Sequence, residues 1–399
     1  MKQRREGYLV GECLEVTIER IVPGGEGLVR GPNGVVLVEH AAPGDRLEIE
    51  IESQRGGAAR GRIRSILQGG AGRVEPPCVW YGRCGGCDFQ HLSYDAQLDA
   101  KETMLRDALF RIGGIDWEDA IARFAAPHAF GSRARVELHT DRRTGAVGFF
   151  ARRSNDLVPI DRCIVSRSEI NMALTTIRST DIELPPAIHL LAGNDVVHSS
   201  PAVPPLNGGP FWITISGLDY LVDPAGFFQS AYDLLPPLIE HVLELVGAER
   251  GLVWDLFCGA GLFSLPLALR FHEVVGVEVD PKATGNSVRS AVRNGIGNAR
   301  FVTEDVTRWV SARRQRSIGP DVVVVDPPRS GLDEVLSTKL TEKGLPRLIY
   351  VSCDPTTLAR DLKVLIARDL QVRHIAMFDL FPQTHHIETV VQLVGESVV

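Results

Sequence analysis

The alternation of hydrophobic and polar positions near the start of the chain predicts short strands. Apolar and polar residues alternate in runs such as Leu14-Glu15-Val16-Thr17-Ile18, and turn signals such as Pro23-Gly24-Gly25 separate the runs. A period of two is typical of half-buried strands. Five such strands with tight turns favour a small barrel of the OB type. We therefore predict a β-barrel domain over residues 7–68.

The middle of the chain, residues 74–222, begins with one helix and continues mainly as strands. Apolar residues recur at helical spacing between Ala96 and Ile112. From Arg133 to about Tyr220 the pattern changes to short runs such as Val147-Gly148-Phe149-Phe150. This pattern predicts a central, mostly β domain over residues 74–222.

From Asp223 onward, buried strands alternate with helices. Apolar runs such as Leu252-Val253-Trp254 and Val322-Val323-Val324-Val325 are each followed by a helical segment. Such alternation is typical of a doubly wound parallel sheet, which binds ligands at the carboxyl ends of its strands. We therefore predict an α/β, Rossmann-like domain over residues 223–399.

Composition and charge narrow the functional classes. Of the 399 residues, 44% are hydrophobic and 23% are charged, which is an ordinary balance for a globular protein of two or three domains. The net charge of −7 argues against a general polyanion binder. No early apolar run resembles a signal peptide and none is long enough to span a bilayer, so we expect a cytoplasmic protein without a membrane partner. Because the sequence does not reveal the oligomeric state, we assume a monomer.

Two groups of arginines could contact a polyanion locally. Arg60, Arg62 and Arg64 alternate along the last predicted barrel strand and therefore share one face, which suits either phosphate contact or a solvated strand edge. Residues 133–167 contain eight arginines against four acids. A basic patch of this kind suits a polyanion, although a salt-bridged surface would give the same count.

Three acids end successive strands of the predicted parallel sheet. Glu278 ends the second strand, Asp305 the third and Asp326 the fourth, and a Gly259-Ala260-Gly261 turn follows the first. The glycines let a cofactor approach the backbone, and an acid about twenty residues on can accept hydrogen bonds from ribose hydroxyls. Because a third glycine and a phosphate-binding signature are missing, S-adenosylmethionine (SAM) fits better than a dinucleotide.

Three of the seven cysteines crowd into ten positions, at Cys78, Cys84 and Cys87. The Gly-Gly pair between the last two lets the backbone wrap tightly around one metal, and Cys163 is a candidate fourth ligand. Four thiolates suit either zinc or an iron–sulfur cluster, and the spacing does not choose between them. Less favoured are a redox pair at Cys84 and Cys87, which no strand precedes, and unrelated packing cysteines.

Cys353 is a candidate nucleophile of the last domain. The thiol follows the apolar run Leu348-Ile349-Tyr350-Val351 and precedes Pro355, so we expect it at the carboxyl end of a strand. Taken singly, a buried cysteine is usually inert packing, so its neighbours decide between the two interpretations.

The order of the motifs along the chain is specific. The motifs are a barrel start with Gly24-Gly25-Glu26-Gly27-Leu28-Val29-Arg30, the four cysteines above, Phe227-Phe228-Gln229, Asp255-Leu256-Phe257-Cys258-Gly259, Asp326-Pro327-Pro328-Arg329, Ser352-Cys353-Asp354-Pro355 and His386-Ile387-Glu388-Thr389-Val390. The start resembles the TRAM domain, an RNA-binding module. Over essentially its whole length the chain resembles the RNA uridine-5-methyltransferase family, which makes 5-methyluridine in tRNA and 23S rRNA.

The resemblance implies a role for each matching residue. Cys353 matches the nucleophile and Glu388 the general base. The positions that bind SAM are matched by Gln229, Phe257, Glu278, Asp305 and Asp326. The four cysteines, Cys78, Cys84, Cys87 and Cys163, match the ligands of a [4Fe-4S] cluster, with zinc as the runner-up. Leu262 stands where many members have asparagine, which leaves one polar cofactor contact open.

The implied reaction explains why these residue types occur. Addition of the Cys353 thiolate to C6 of uracil makes C5 nucleophilic enough to take a methyl group, and Glu388 then removes the C5 proton. We expect the uridine to be flipped out of its stack. The expected partner is RNA, and 23S rRNA is favoured over tRNA because ribosomal members of the family typically carry the cluster cysteines.

Three alternative functions stay open at this point. A methyltransferase acting on a ring or exocyclic nitrogen would need no covalent step and would leave Cys353 inert. A DNA cytosine methyltransferase also uses a thiolate, but its cysteine usually follows a proline, whereas Ser352 precedes Cys353 here. A non-catalytic RNA-binding protein would need only the barrel and the basic patch, which would leave the α/β domain unexplained.

Overall fold

The structure is a computed structural model that describes residues 7–55, 57–247, 251–315, 319–342 and 344–395. The chain forms two compact units. The first comprises the residues as far as Asp107 together with Phe150–Val158 and Phe381–His385. The second comprises Ala108–Phe149, Pro159–Leu380 and the residues from His386 onward. The three-domain division from the sequence stays a prediction.

A six-stranded sheet forms the start of the first unit. Its strands are β1 (Cys13–Thr17), β2 (Arg20–Val22), β3 (Glu26–Gly31), β4 (Gly34–Val38), β5 (Arg46–Arg55) and β6 (Ala58–Gln68), in the order β1-β5-β6-β4-β3-β2. In β5 the apolar Leu47, Ile49 and Ile51 are fully buried while the charged residues between them face outward. The sequence predicted five strands, and the short β2 makes six.

The first unit also contains most of helix α1 (Tyr94–Ala108), which packs Ala100 and Met104 into a cluster with Phe89 and Leu92. The helix then passes into a π-helical turn over Leu109–Gly113. The pattern of apolar positions therefore located this helix, because burial of one face fixes its period.

The segment Phe381–His385 joins the first unit through buried polar contacts. Gln97 and Gln383 exchange two hydrogen bonds, of 3.0 and 3.1 Å. The Asp88 N–H donates to the Gln383 carbonyl at 2.9 Å. The Asp88 carboxylate lies 2.6 Å from Nδ1 of His385. The chain then continues directly into the residues that precede Glu388.

The remaining elements belong almost entirely to the second unit. The strands are β7 (Ala122–Phe124), β8 (Arg135–Asp141), β9 (Ala146–Phe150), β10 (Leu157–Pro159), β11 (Ala187–Gly193), β12 (Val196–Ser200), β13 (Asn207–Gly208), β14 (Phe211–Ile215), β15 (Leu218–Val222), β16 (Leu252–Leu256), β17 (Glu273–Glu278), β18 (Ala299–Thr303), β19 (Val322–Val325), β20 (Arg347–Ser352), β21 (Leu370–Phe378) and β22 (Glu388–Gly395). The helices are α2 (Ser168–Arg178), α3 (Leu235–Val246), α4 (Ser264–Ala268), α5 (Pro281–Arg293), α6 (Val306–Gln315), α7 (Glu334–Thr341) and α8 (Pro355–Ile366), with a 3-10 turn at Tyr232–Leu234.

Three sheets are built from these strands. One has the order β10-β9-β8-β11-β12-β13, and β14 pairs only with β15. The largest has eight strands in the order β18-β17-β16-β19-β20-β22-β21-β7. Within it β18, β17, β16, β19 and β20 run parallel, whereas β22 runs antiparallel to both β20 and β21.

The α/β fold class predicted from the sequence is confirmed. All four residues of β19 are fully buried, which is why this strand reads as a continuous apolar run. Strands β16, β17, β19 and β20 end at one edge of the sheet, and β22 begins there because it is antiparallel. In the parts of the chain that the structure describes, no helix combines the length and apolar character needed to cross a membrane.

Candidate active site

Cys353 and Glu388 lie at the same end of two paired strands. Ser352 at the end of β20 is paired with Thr389 of the antiparallel strand β22. Cys353 directly follows Ser352, and Glu388 directly precedes Thr389. The charge of Glu388 also raises the pKa of the Cys353 thiol, as expected for groups that are close together. The thiol and the carboxyl therefore belong to one site.

The nucleophile candidate is fixed by the start of helix α8. The Asp354 carboxylate accepts hydrogen bonds from the N–H groups of Thr356 and Thr357, at 2.8 and 3.1 Å, and so caps the helix. Pro355 occupies the first turn, where a missing N–H costs nothing. The strand end and the cap together leave Cys353 little conformational freedom.

The surroundings of Cys353 favour the neutral thiol. Burial raises its pKa to about 12, and the nearby Glu388 and Asp326 carboxylates add to the rise. The positive charge of Arg329 acts in the opposite direction and lowers the pKa. A thiol in this setting needs local stabilisation of its anion before it can attack.

The carboxyl groups of Asp255, Asp326 and Glu388 influence one another. Glu388 is 1% exposed, and its Oε1 has no hydrogen-bond partner among the described residues. Burial raises the pKa of Glu388 well above its usual range, and the charge of Asp326 raises it further. Burial likewise raises the pKa of the half-buried Asp326, with Asp255 adding to it. Glu388 therefore holds a proton tightly and, once ionised, is a strong base.

Asp255 is a buried acid whose importance the strand pattern did not reveal. It is fully buried at the end of β16, where one carboxyl oxygen accepts a hydrogen bond from the Ser264 hydroxyl. The other oxygen has no partner within the described part of the chain. Burial raises the pKa of Asp255 to about 7. In the sequence, the one sign of this role is that Asp255 is an acid inside the apolar run that ends at Leu256.

The turn after β16 adopts left-handed backbone conformations. Phe257 has a φ of 61°, and Gly259 and Gly261 also have left-handed φ angles of 52° and 85°. Phe257 lacks the freedom of glycine, so this conformation is costly and the surroundings must impose it. The Glu278 carboxylate, at the end of β17, accepts a hydrogen bond from the Gly259 N–H at 3.1 Å. The turn and the acid are therefore adjacent.

The other predicted cofactor positions have different surroundings. Asp305 is exposed, and one of its carboxyl oxygens accepts from the Arg308 N–H at 2.9 Å. It follows Thr303, which pairs with Glu278, so the two acids end neighbouring strands. Gln229 is buried, and no described residue bonds to its Oε1. Gln229 therefore offers a buried acceptor oxygen to a ligand.

Several of these groups could hold an adenosyl cofactor. The Glu278 carboxylate could accept from ribose hydroxyls, and the left-handed turn beside it suits close approach of a ligand. The unpartnered oxygens of Gln229 and Asp255 could also accept hydrogen bonds. Leu262 is buried, and its carbonyl accepts from the Tyr220 hydroxyl at 3.2 Å.

Comparison with known proteins decides the family. Residues 217–395 match the model described as tRNA (Uracil-5-)-methyltransferase, and residues 8–63 match the TRAM domain. A protein of Pseudomonas putida named 23S rRNA (uracil(1939)-C(5))-methyltransferase RlmD is 32% identical over 95% of this chain and 93% of its own length. An uncharacterized RNA methyltransferase of Thermosynechococcus vestitus is 31% identical over 96% and 98%. The chain belongs to the RNA uracil-5-methyltransferase family.

A solved structure agrees with this assignment. The tRNA (uracil-54, C5)-methyltransferase of Pyrococcus abyssi, in complex with S-adenosyl-L-homocysteine, is 25% identical and superposes with a TM-score of 0.74 over 96% of this chain and 100% of its own. The protein is thus an RNA (uracil-5-)-methyltransferase with SAM as methyl donor and RNA as substrate. The predicted family, enzyme class and TRAM domain are confirmed.

Among the described residues of this methyltransferase, the four cysteines predicted to bind a cluster do not form a metal site. Cys78, Cys84 and Cys87 belong to the first unit, where the Sγ of Cys84 accepts from the Gly86 N–H at 3.4 Å. Cys163 belongs to the second unit, where its N–H donates to Asn171 at 2.8 Å. Across the described ranges, no group of three or more His, Cys, Asp or Glu residues could hold a metal ion. The [4Fe-4S] cluster and its zinc alternative stay predictions from the sequence.

The three arginines of β6 are ion-paired. Arg60 contacts the buried Glu26, and Arg62 and Arg64 both contact Glu50, at 3.0 and 2.8 Å. Glu50 lies on the neighbouring strand β5 and Glu26 on β3, two strands away, and a local sequence pattern shows neither contact. These contacts favour the second of the two interpretations, a solvated and salt-bridged strand surface.

Proposed function

We propose that this methyltransferase modifies C5 of a specific uridine in 23S rRNA through a covalent bond between Cys353 and C6 of the base, with Glu388 as the general base. The pairing of Ser352 with Thr389, which brings Cys353 and Glu388 to the same end of two neighbouring strands, supports the proposal most strongly. A nucleophile and a base acting on adjacent ring atoms must lie within a few ångströms of each other. A shared position at the sheet edge where ligands bind suits this requirement.

The proposed reaction has three steps: addition of the thiolate, methyl transfer and elimination. The Cys353 thiolate adds to C6, and the electron pair of the C5–C6 double bond moves towards O4 as an enolate. C5 then attacks the methyl group of SAM, the methyl–sulfur bond breaks with its electron pair staying on sulfur, and S-adenosylhomocysteine leaves as a neutral thioether. Glu388 then takes the C5 proton, the C5–C6 double bond forms again and the thiolate leaves. The thiolate and the ionised Glu388 are both bases that this buried site disfavours, so substrate binding must change their protonation.

We assign SAM binding to Gln229, Phe257, Glu278, Asp305 and Asp326. The adjacency of Glu278 to the turn at Phe257 and Gly259 supports this assignment. So does the buried oxygen of Gln229, since a buried acceptor without a partner costs free energy that a ligand donor could recover. Asp326 follows β19 at the same edge of the sheet, and its charge raises the pKa of Glu388, which suits a residue near both the cofactor and the base.

We favour 23S rRNA over tRNA as the substrate. The relative from Pseudomonas putida, which is named for a 23S rRNA uracil, is 32% identical, whereas the solved relative named for tRNA is 25% identical. We expect the target uridine to leave its stack, because the attacked ring atom is otherwise covered by neighbouring bases. The protein is proposed to act as a monomer.

A [4Fe-4S] cluster at Cys78, Cys84, Cys87 and Cys163 is proposed on the sequence alone. Purification without oxygen followed by iron and zinc analysis tests it. About four irons per chain would support the cluster. One zinc and no iron would support the alternative, and the absence of both metals would reject both.

Analysis of the methylated nucleoside tests the proposed substrate and atom. The purified protein, SAM and either a 23S rRNA transcript or a tRNA transcript are incubated, and the RNA is digested to nucleosides. The proposal expects 5-methyluridine from the 23S transcript. A methylated ring nitrogen or exocyclic nitrogen would favour the non-covalent alternative, and 5-methyluridine from tRNA alone would reassign the substrate.

A further inference from the structure

The loop after Asp326 is held from one side by helix α8. This loop runs from Pro328 to Leu332, and the Gly331 N–H donates to the Pro328 carbonyl at 2.8 Å, which closes a turn. Arg329 lies at the tip of the turn and is exposed. Because α8 begins two residues after Cys353, the same helix is rigidly connected to the nucleophile.

Asp361 of α8 holds the far end of the loop. Its Oδ2 accepts hydrogen bonds from the Leu332 N–H at 2.7 Å and from the Tyr350 hydroxyl at 2.8 Å. Asp361 is 2% exposed, and Tyr350 on β20 is fully buried. A buried carboxylate is costly unless its lone pairs are used, and here the loop backbone uses one of them.

Arg360 holds the same loop through its carbonyl groups. Its guanidinium donates to the Ser330 carbonyl at 2.7 Å and to the Leu332 carbonyl at 3.1 Å. The same group contacts the Asp361 carboxylate at 2.7 Å. Adjacent residues of α8 thus bind an N–H and two carbonyls of a single short loop.

Gly331 allows this close approach. It has a φ of 72°, and a Cβ added there would lie 2.3 Å from the Asp361 carboxylate and 2.7 Å from the Arg360 guanidinium. Any side chain would therefore push the loop away from α8. Glycine at position 331 therefore lets the loop lie against Asp361 and Arg360.

The loop carries the cation that acts on Cys353. Burial, Glu388, Asp326 and Asp354 all raise the pKa of the thiol, and Arg329 lowers it. Arg329 also contacts Nε2 of His386 at 3.2 Å. A cation stabilises a forming thiolate best when its position is fixed beforehand.

We propose that Asp361 and Arg360 are positioning residues that hold the Pro328–Leu332 loop so that Arg329 faces Cys353 and stabilises its thiolate. The proposal rests on the proposed nucleophilic role of Cys353. A purely structural role for the two residues would leave the reactivity of the thiol unchanged, so reactivity is the quantity to measure.

The test is the rate of Cys353 alkylation by iodoacetamide against pH in the full-length protein without RNA, read on the Cys353 peptide by mass spectrometry. The variants are Arg329→Gln, Arg360→Met and Gly331→Ala. Arg360 is 49% exposed, so its replacement should leave the fold intact. Arg308→Met, which removes an 83% exposed arginine of α6, is the matched control.

We expect Arg329→Gln, Arg360→Met and Gly331→Ala to move the pH profile of alkylation upward. An upward shift of half a pH unit makes alkylation about threefold slower at a fixed pH below the midpoint, because only the thiolate reacts. The control should keep the wild-type profile. If Arg329→Gln shifts the profile and the other two do not, the positioning role is rejected. If Arg329→Gln itself has no effect, Arg329 does not act on the thiol and the proposal fails.

Failure of this positioning role can be distinguished from failure of the proposed function. Alkylation reports the thiolate of Cys353 in the free protein, whereas a covalent bond to RNA reports its role in the reaction. Altered alkylation in a protein that forms no adduct would reject the proposed function and leave the loop contacts established.

Discussion

Cys353 and Glu388 lie at the same end of the paired strands β20 and β22, because Cys353 follows Ser352 and Glu388 precedes its partner Thr389. The strand pairing brings the two groups together. One sheet edge therefore carries a thiol and a carboxyl, as the proposed covalent mechanism requires. This relationship leads to the predictions below.

Replacing Cys353 should stop the reaction without loss of cofactor binding. In Cys353→Ala we expect no 5-methyluridine in multiple-turnover assays, because C5 cannot become nucleophilic without the addition at C6. SAM affinity, measured by titration calorimetry, should stay within about threefold of wild type. Cys13→Ala, which removes an exposed cysteine of β1, is the control and should be fully active. Turnover by Cys353→Ala would contradict the nucleophile assignment.

Replacing Glu388 should trap the second half of the reaction. In Glu388→Gln the thiol can still add and the methyl group can still transfer, but the C5 proton has no acceptor. We expect a methylated RNA that stays bound to the protein and migrates with it on a denaturing gel. Release of methylated RNA at the wild-type rate would exclude Glu388 as the base.

Glu388→Gln should be more stable than wild type at high pH. The pKa of Glu388 is raised in the folded state, so its contribution to stability is fully present below its unfolded value near 4.5 and is lost as the pH rises towards the folded value. Each pH unit in this window costs up to about 1.4 kcal/mol. Glu388→Gln should therefore match wild type near pH 4 and have a higher unfolding midpoint at pH 8. Equal unfolding midpoints of Glu388→Gln and wild type at both pH values would mean that folding does not raise the pKa of Glu388.

Gln229 should contribute to cofactor binding. Its buried oxygen has no partner among the described residues, so a donor on the cofactor would satisfy it. We expect Gln229→Leu to weaken SAM binding by about tenfold, which corresponds to about 1.4 kcal/mol. Gln371→Leu, at an exposed position of β21, is the matched control. Unchanged affinity in Gln229→Leu would remove this residue from the cofactor site.

Asp88 should stabilise the first unit in a pH-dependent manner. Burial alone would raise its pKa, but the hydrogen bond with His385 and the charge of Arg152 outweigh burial, and the pKa lies below its usual value of 3.8. The stabilisation is therefore present above about pH 4 and is lost as the pH falls through the folded value. Asp88→Asn should lower the unfolding midpoint at pH 7 and approach wild type under acid conditions. The exposed Asp233→Asn is the control, and equal midpoints for all three proteins at pH 7 would contradict the prediction.

The sequence predicted the fold class because burial imposes visible periods. The continuous apolar run Val322–Val325 is a fully buried parallel strand, and alternation at Leu47, Ile49 and Ile51 places one face of β5 in the core. Short strands with little burial are harder to recognise. The three-residue β2 was missed for this reason.

The geometry of the site was less visible because it depends on contacts between distant residues. The sequence identified Cys353 and Glu388 through motifs, but their shared position depends on strand pairing across more than thirty residues. Asp361 shares the buried side of α8 with Leu358 and Leu365, and only the folded chain shows it bound to the backbone of Leu332. The ion pairs of the β6 arginines were hidden in the same way.

A covalent protein–RNA adduct tests the central claim most directly. The purified protein and SAM are mixed with 23S rRNA in which uridine is replaced by 5-fluorouridine, whose C5 fluorine cannot be removed as a proton. We predict an adduct that survives denaturation, maps to Cys353 by mass spectrometry and carries one transferred methyl group, while Cys353→Ala forms none. If wild-type protein that demonstrably binds SAM and the RNA forms no adduct, or forms one at another residue, the covalent mechanism is contradicted.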